Sequence, residues 1–250
     1  MGIFLFSLMM WTSGLGTAHA APLTDALIFN GTGTSPSDTQ SLINIMTSHG
    51  LSYRVATSST LEAMSSDSFR NYRLLVWPGG DSNVMTKGLS ATTRGKIRNA
   101  VLVNGLNYVG FCAGAWMAVG PPPWRGGSPI WGLSIVNGNY LKQYFPEGVT
   151  SVAAMVATTF PDGSTRDLVW WGGPYLPSQT GSVIAKYPNG STAAMETQAG
   201  NGYVVLTGLH PEAPQDWRDY IGLVDSDGLD MDFAWSLIES ALKRNSLAVF

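Results

Sequence analysis

Through the first half of the chain, short apolar runs alternate with helical patterns. Asp25 to Asn30, with Ala26-Leu27-Ile28-Phe29 at its centre, predicts a strand that ends in the turn Gly31-Thr32-Gly33-Thr34. Ser35 then reads as an N-cap with Pro36 at the first helical position. The helix it opens runs through Leu42, Ile43 and Met46 to about His49, with Gly50 as its stop. Tyr53 to Ala56 is a second strand, and Tyr72 to Trp77 a third that closes on Pro78-Gly79-Gly80-Asp81. A helix from about Ala91 to Asn104 carries Ile97, Val101 and Leu102 at helical spacing and stops at Gly105, and Asn107 to Phe111 is a fourth strand leading into Cys112. Strands and helices alternating over short connections predict an α/β fold with a doubly wound, mostly parallel sheet.

The second half has another texture. Val152 to Thr159, Asp167 to Trp171, Ser182 to Tyr187, Ala193 to Glu196 and Tyr203 to Thr207 are short strand-like runs separated by Gly, Pro and Asn turns. They predict β-hairpins appended to the sheet or extending it, and a last helix, about Met231 to Lys243, closes the domain. No repeat and no long polar linker interrupts the pattern, so residues 21–250 read as a single domain.

The first twenty residues stand apart. Met1 to Ala20 holds no charged side chain, is apolar from Ile3 to Trp11 and ends in Ala18-His19-Ala20, a small-x-small cleavage signal. It is expected to be a signal peptide, although its n-region lacks Lys or Arg, and an N-terminal anchor is the alternative. The stretch is too short for a membrane span. The mature chain is then secreted or periplasmic, with no membrane association after cleavage.

Composition narrows the partners. Against 17 Asp+Glu there are 14 Lys+Arg, scattered singly, for a net charge of −3. That distribution offers no track for a phosphate backbone, so no nucleic acid is expected. Hydrophobic residues at 44 % exclude disorder. The single cysteine, Cys112, cannot form an intramolecular disulfide, and a lone thiol in an oxidising compartment must be either buried and inert or used.

Its surroundings favour use. Gly110-Phe111-Cys112-Ala113-Gly114 is a G-x-C-x-G elbow at the end of a strand, the thiol counterpart of the hydrolase G-x-S-x-G turn. The flanking glycines let strand and helix pack closely, and the helix N-terminus favours the thiolate. Of the three histidines, His19 leaves with the leader and His49 sits at an exposed helix end. His210 follows the run Tyr203 to Thr207 and Gly208, and Glu212 two residues on can orient it as a general base; otherwise the two are a surface pair on a loop. Gly79 and Gly80 after the third strand can point backbone N–H groups at an oxyanion alongside that of Ala113; otherwise Pro-Gly-Gly is a plain turn.

The order of Gly-Gly loop, Cys elbow and His-Pro-Glu resembles the class I glutamine amidotransferase-like family. Within it, the chain is most similar to the amidotransferase-like N-terminal region of biotin–protein ligases and its free-standing secreted relatives. Five stretches carry the likeness: Phe29 to Pro36, Leu74 to Asp81, Tyr108 to Ala115, Trp171 to Pro174 and Val204 to Glu212. The resemblance implies a flavodoxin-like core and a triad of Cys112, His210 and Glu212. It further implies an oxyanion hole from Gly80 (or Gly79) with Ala113, and amide cleavage through a thioester. Glutamine-hydrolysing members read C-x-G-x-Q, whereas here Trp116 stands at the Gln position, which makes glutamine a doubtful substrate. No synthase domain and no biotin-ligase half is on this chain. A secreted hydrolase of an amide or γ-glutamyl-type bond, taking a small-molecule or peptide substrate, is therefore expected, the alternative being a silent binding module on the same fold.

The remaining candidates concern the cleft and cofactors. Trp116, Trp124, Trp131, Trp170, Trp171 and Tyr175 are large rings expected near the active edge; Trp116 and Trp171-Gly172-Gly173 are assigned to the substrate cleft with Asp81, and Trp124, Trp131, Trp170 and Tyr175 to packing. Gly31 and Gly33 begin like a dinucleotide loop, but Pro36 occupies the third glycine position, so they are expected to rim the same cleft instead. Asp225, Asp227, Asp230 and Asp232 lack calcium-loop spacing and read as dipole partners of the last helix. Two mature histidines and one cysteine put a structural zinc out of reach, and no cofactor or metal is expected. Asn30-Gly-Thr and Asn189-Gly-Ser are glycosylation sequons, the first at the reactive edge where a glycan would obstruct entry.

Overall fold

The computed structural model describes residues 23–123 and 131–250. The leader and Trp124 lie outside the described residues. In chain order the first half contains β1 (Thr24–Phe29), α1 (Pro36–Ser48), β2 (Tyr53–Ala56), α2 (Ser58–Ala63), β3 (Tyr72–Trp77), α3 (Ser82–Lys87), α4 (Ala91–Leu102), β4 (Asn107–Phe111) and α5 (Ala113–Ala118). Four short strands are β5 (Val119–Gly120), which pairs with β6 (Val136–Asn137), and β7 (Lys142–Gln143), which pairs with β10 (Pro174–Tyr175). The long strands of the second half are β8 (Ala154–Thr159), β9 (Thr165–Trp170), β11 (Ser182–Lys186), β12 (Thr192–Ala199) and β13 (Gly202–Thr207), followed by α6 (Gln215–Ile221) and α7 (Met231–Lys243).

The central sheet has nine strands in the order β2-β1-β3-β4-β13-β12-β11-β8-β9. From β2 to β13 every pairing is parallel; from β13 outward every pairing is antiparallel, so the predicted hairpins extend the sheet. Strand side chains alternate between the faces. Ala26 and Ile28 of β1 and Leu74 and Val76 of β3 pack with Leu42, Ile45 and Met46 of α1 and with Phe233, Leu237 and Ile238 of α7. Leu27 and Phe29, and Leu75 and Trp77, pack on the other face with Leu61, Met85, Ile97 and Val101. Burial on both faces is what makes the parallel strands read as continuous apolar runs.

Two features place the site. Strands β3, β4 and β13 lie side by side, so the loops after them share one edge, where open α/β sheets bind ligands. The antiparallel extension also curls back: its outermost strand, β9, bridges the segment following β13 through Val169 and His210, with the His210 N–H donating to the Val169 carbonyl at 2.8 Å. That curl brings Trp171 and Gly172, just beyond β9, over the end of β4.

Candidate active site

Cys112 sits between β4 and α5 with φ 44° and ψ −98°, a left-handed conformation that is strained for a residue with a side chain. The surrounding packing enforces it. A Cβ on Gly114 would come within 2.3 Å of the Trp77 carbonyl oxygen, and one on Gly110 within 2.7 Å of the Gly114 backbone, so only glycine permits strand and helix to cross this closely. Tyr108 Oη donates to the Gly114 carbonyl at 2.8 Å, and the Cys112 N–H donates to the Thr207 carbonyl at 2.8 Å, tying the elbow to β13. The buried thiol is left facing the Trp171 carbonyl oxygen, 3.6 Å from the sulfur.

His210 lines the same cavity as Cys112 because Gly208 and Leu209 turn the chain after β13 and the bridge to Val169 fixes it. Its Nδ1 lies 2.8 Å from Glu212 Oε1, which leaves Nε2 available. Burial opposes charge on the imidazole, but the adjoining Cys112, then Glu212 and Asp38, hold its proton well above the ordinary histidine range. Cys112 and His210 therefore line one cavity with Glu212 bound to the imidazole, and His210 and Glu212 are buried rather than a surface pair.

The fourth member is Asp38, in the first turn of α1, which sequence reasoning passed over. It is fully buried, with Oδ2 3.4 Å from His210 Nδ1, and neither of its carboxylate oxygens nor Glu212 Oε2 has a hydrogen-bond donor among the described residues. Burial and this like-charged neighbour push the Glu212 carboxyl up to about 8, even with His210 acting in the opposite sense. The ligand atoms of Asp38, His210 and Glu212 lie within 4.8 Å of one another, as close as metal ligands would, although the His210–Glu212 contact is a hydrogen bond.

The glycine pair divides its labour. Gly79 lies against the imidazole: a Cβ there would come within 2.2 Å of Asp38 Oδ2 and 2.6 Å of His210 Cε1. Gly80, at φ 137°, borders Cys112 in two cavities, and its N–H, like that of Ala113, has no acceptor among the described residues. Gly80 and Ala113 are thus the better-placed oxyanion donors.

A cavity of about 870 Å³ beside Cys112 is lined by Trp116, Trp131, Tyr140, Gln143, Trp171 and Gly172 together with Asp81. A second, of about 650 Å³, contains His210 with Asp38, Trp171, Trp217 and Tyr220. Several assignments change accordingly. Gly31 and Gly33 line neither cavity: Gly31 is packed against the Phe29 ring and Ser58, and the Gly33 carbonyl accepts the Asp81 N–H, so they support the Gly80 loop from behind. Gly173 is backed against the Gly208 carbonyl and stays out of the cleft. Asp81 borders the first cavity, but its Oδ1 caps α3 by accepting the N–H groups of Asn83 and Val84. Trp131, assigned to packing, lines the cleft, while Trp170 is core and Tyr175 lies by another cavity. Trp217 and Tyr220, on a short helix with no legible period, were missed; their only signal was two large rings soon after His-Pro-Glu.

The acidic group near α7 has its own account. Asp230 and Asp232 do begin that helix, but the group is bound chiefly to arginines: fully buried Arg218 to Asp225 and Asp230, and Arg166 to Asp232 at 2.8 Å. His49 caps α1 and stacks on Trp235 with ring centres 3.6 Å apart, far from this chemistry in role.

Residues 24–147 match the family described as "Biotin-protein ligase, N terminal". Over that segment the chain is similar to the biotin-protein ligase N-terminal family. The segment includes the Gly80 loop and the Cys112 elbow; His210 and Glu212 follow it. No curated protein matches the chain. Among solved structures, a glutamine amidotransferase from Thermotoga maritima is 12% identical, with a TM-score of 0.55 over 88% of this chain and 98% of that one. The PurLQS structure from the same organism is 14% identical, with a TM-score of 0.55 over 90% and 100%. A glutamine amidotransferase from Methylobacillus flagellatus is 12% identical, with a TM-score of 0.51 over 89% and 94%. At such identities these likenesses establish the fold: class I glutamine amidotransferase-like, extending well past the family-matched segment.

Proposed function

We propose that this protein is a secreted or periplasmic cysteine-dependent hydrolase of amide or γ-glutamyl-type C–N bonds. The observation that carries the reading is that Cys112 and His210 line the same cavity, with His210 Nδ1 held by Glu212 at 2.8 Å. Export is supported by the apolar leader and Ala18-His19-Ala20.

The chemistry follows from the positions. His210 Nε2 takes the thiol proton, and the sulfur bonds to the amide carbon, whose oxygen gathers negative charge between the Gly80 and Ala113 N–H groups. Each such donor contributes about 3 kcal/mol to lowering the barrier. The imidazolium passes its proton to the amide nitrogen, the C–N bond breaks and the amine departs, leaving a thioester. Water then adds to the thioester carbon, giving its proton to His210, and the acid leaves as the sulfur regains its electron pair. Glu212 holds the ring in the tautomer that presents Nε2 to the sulfur. A silent binding module would be favoured by a plugged thiol, and Cys112 instead borders both cavities.

The test combines labelling and turnover. Iodoacetamide should modify native Cys112 rapidly at neutral pH, and a panel of amides should be hydrolysed by wild type while Cys112→Ala, folded by circular dichroism, turns over none. A native thiol that resists alkylation, together with no hydrolysis across the panel, would overturn the assignment.

A further inference from the structure

We propose that the substrate is a secondary amide with an uncharged acyl group and a bulky, apolar or aromatic amine, and that the Trp217–Tyr220 cavity is the amine subsite. The proposal rests on the amide-hydrolase reading above, narrows it to uncharged acyl groups and so sets γ-glutamyl substrates aside, and assigns a side of the scissile bond to each cavity.

The assignment follows from where the proton must go. In the tetrahedral intermediate the departing nitrogen has to face His210, because that imidazole protonates it. His210 lines only the smaller of the two cavities, the one walled by Trp171, Trp217 and Tyr220. The amine therefore leaves into that space, and the acyl group occupies the larger cavity beyond Cys112, past Trp116, Tyr140 and Gln143. A primary carboxamide releases ammonia, which needs no subsite. A space of about 650 Å³ falls within the range of roughly 300–1,000 Å³ that holds small organic ligands.

The walls indicate the kind of amine. The Trp217 ring stands edge-on to Trp171, with centres 5.6 Å apart, and its Nε1 donates to Ser37 Oγ at 3.0 Å, so the wall is fixed. Tyr220 is 84% exposed at the rim, a large ring with little packing of its own. Asp216 also lines the cavity and suits an amine product that takes up a proton on release. On the acyl side the constraint is on charge. Among the described residues neither cavity is lined by Lys or Arg, and the acid at the acyl side, Asp81, is engaged in capping α3. A free amino acid's carboxylate meets no cation among the described residues there, whereas an uncharged acyl group meets indole and phenol faces and the Gln143 and Asn83 amides. The balanced reaction is R–CO–NH–R′ + H₂O → R–COOH + R′–NH₂, with R in the larger cavity and R′ in the smaller.

The experiment uses the full chain and a panel of uncharged N-acetylaminoacyl groups, each prepared as the primary amide and as the N-benzylamide. Benzylamine and ammonia have similar basicity, so the comparison reads the subsite rather than the leaving group. Wild type should favour the benzylamide in kcat/KM by tenfold or more. Trp217→Ala and Tyr220→Ala should each lower that ratio at least threefold, and a ratio taken within one protein cancels any general loss of activity. Primary amides turned over as well as benzylamides, or a ratio that neither substitution moves, would overturn the subsite while leaving a Cys112-dependent amidase standing. Hydrolysis of neither series, with no acyl-enzyme detectable by mass, would overturn the amidase reading and the subsite with it.

Discussion

Asp38→Asn removes one negative charge from the centre of the site at nearly constant shape. The Nδ1 of His210 has one hydrogen to give and two carboxylates within reach, Glu212 at 2.8 Å and Asp38 at 3.4 Å. Glu212 holds the shorter contact, so fully buried Asp38 keeps no donor of its own among the described residues, and burial with a like-charged neighbour within 4.8 Å holds the Glu212 carboxyl up to about 8. At that separation and an effective dielectric of 20, two ionised carboxylates repel by about 3 kcal/mol. The sign of the pH dependence follows. Glu212 ionises at its ordinary value of 4.5 in the unfolded chain and at about 8 in the folded one, so between these values the folded protein binds the extra proton. Its contribution to stability is complete below pH 4.5 and is lost as pH rises through about 8, at up to about 1.4 kcal/mol per unit. His210, also held protonated, adds loss of the same sign above 6.5.

In Asp38→Asn, Glu212 loses its like-charged neighbour and gains an amide donor for Oε2. Its carboxyl should move back down, narrowing the pH window. Urea unfolding at pH 5, 6, 7 and 8 reads this directly. Wild type should lose stability steadily across the series, whereas the variant's decline should be shallower and its stability at pH 8 higher by about 1–2 kcal/mol, the repulsion less the lost attraction to the imidazolium. A variant destabilised at pH 8 by about 3 kcal/mol or more would show instead that Asp38 is a required partner of the imidazolium, since that is the cost of breaking a buried ion pair, and would refute the account in which Asp38 acts on Glu212 as a like charge.

Two further substitutions probe the geometry around the sulfur. Gly79→Ala puts a methyl 2.2 Å from Asp38 Oδ2 and 2.6 Å from the imidazole, so the ring must rotate off Glu212; kcat on any Cys112-dependent amide should fall at least ~10²-fold, while iodoacetamide still reaches the thiol. Cys112→Gly should be more stable than Cys112→Ala by about 1–2 kcal/mol in urea, because only glycine adopts φ 44° without strain; equal stabilities would mean that the elbow stores none.

The sequence displays the frame of this site clearly and its closure poorly, for a physical reason in each case. Strands β3 and β4 and helix α7 lie where their apolar runs and periodicity place them, because the positions they bury are mostly apolar: all of β4, Leu74 to Trp77 of β3 and one face of α7. The Cys112 elbow is visible because close packing leaves glycine no substitute at positions 110 and 114. Helices α2, α3 and α6 are too short to establish a period, which hid Trp217 and Tyr220. Trp171 meets Cys112 only because the antiparallel strands curl until β9 bridges His210, a long-range pairing with no local signature. Asp38 is the instructive omission. Three residues after the cap Ser35, with its N–H bonded to the Ser35 hydroxyl, it looks like an acid placed for the helix dipole, a role that needs only solvent around it. What makes it functional is burial beneath the loop of Gly79 and against His210, 172 positions further along the chain, and burial of one turn of a helix is a property of the assembled sheet edge rather than of the turn's own residues.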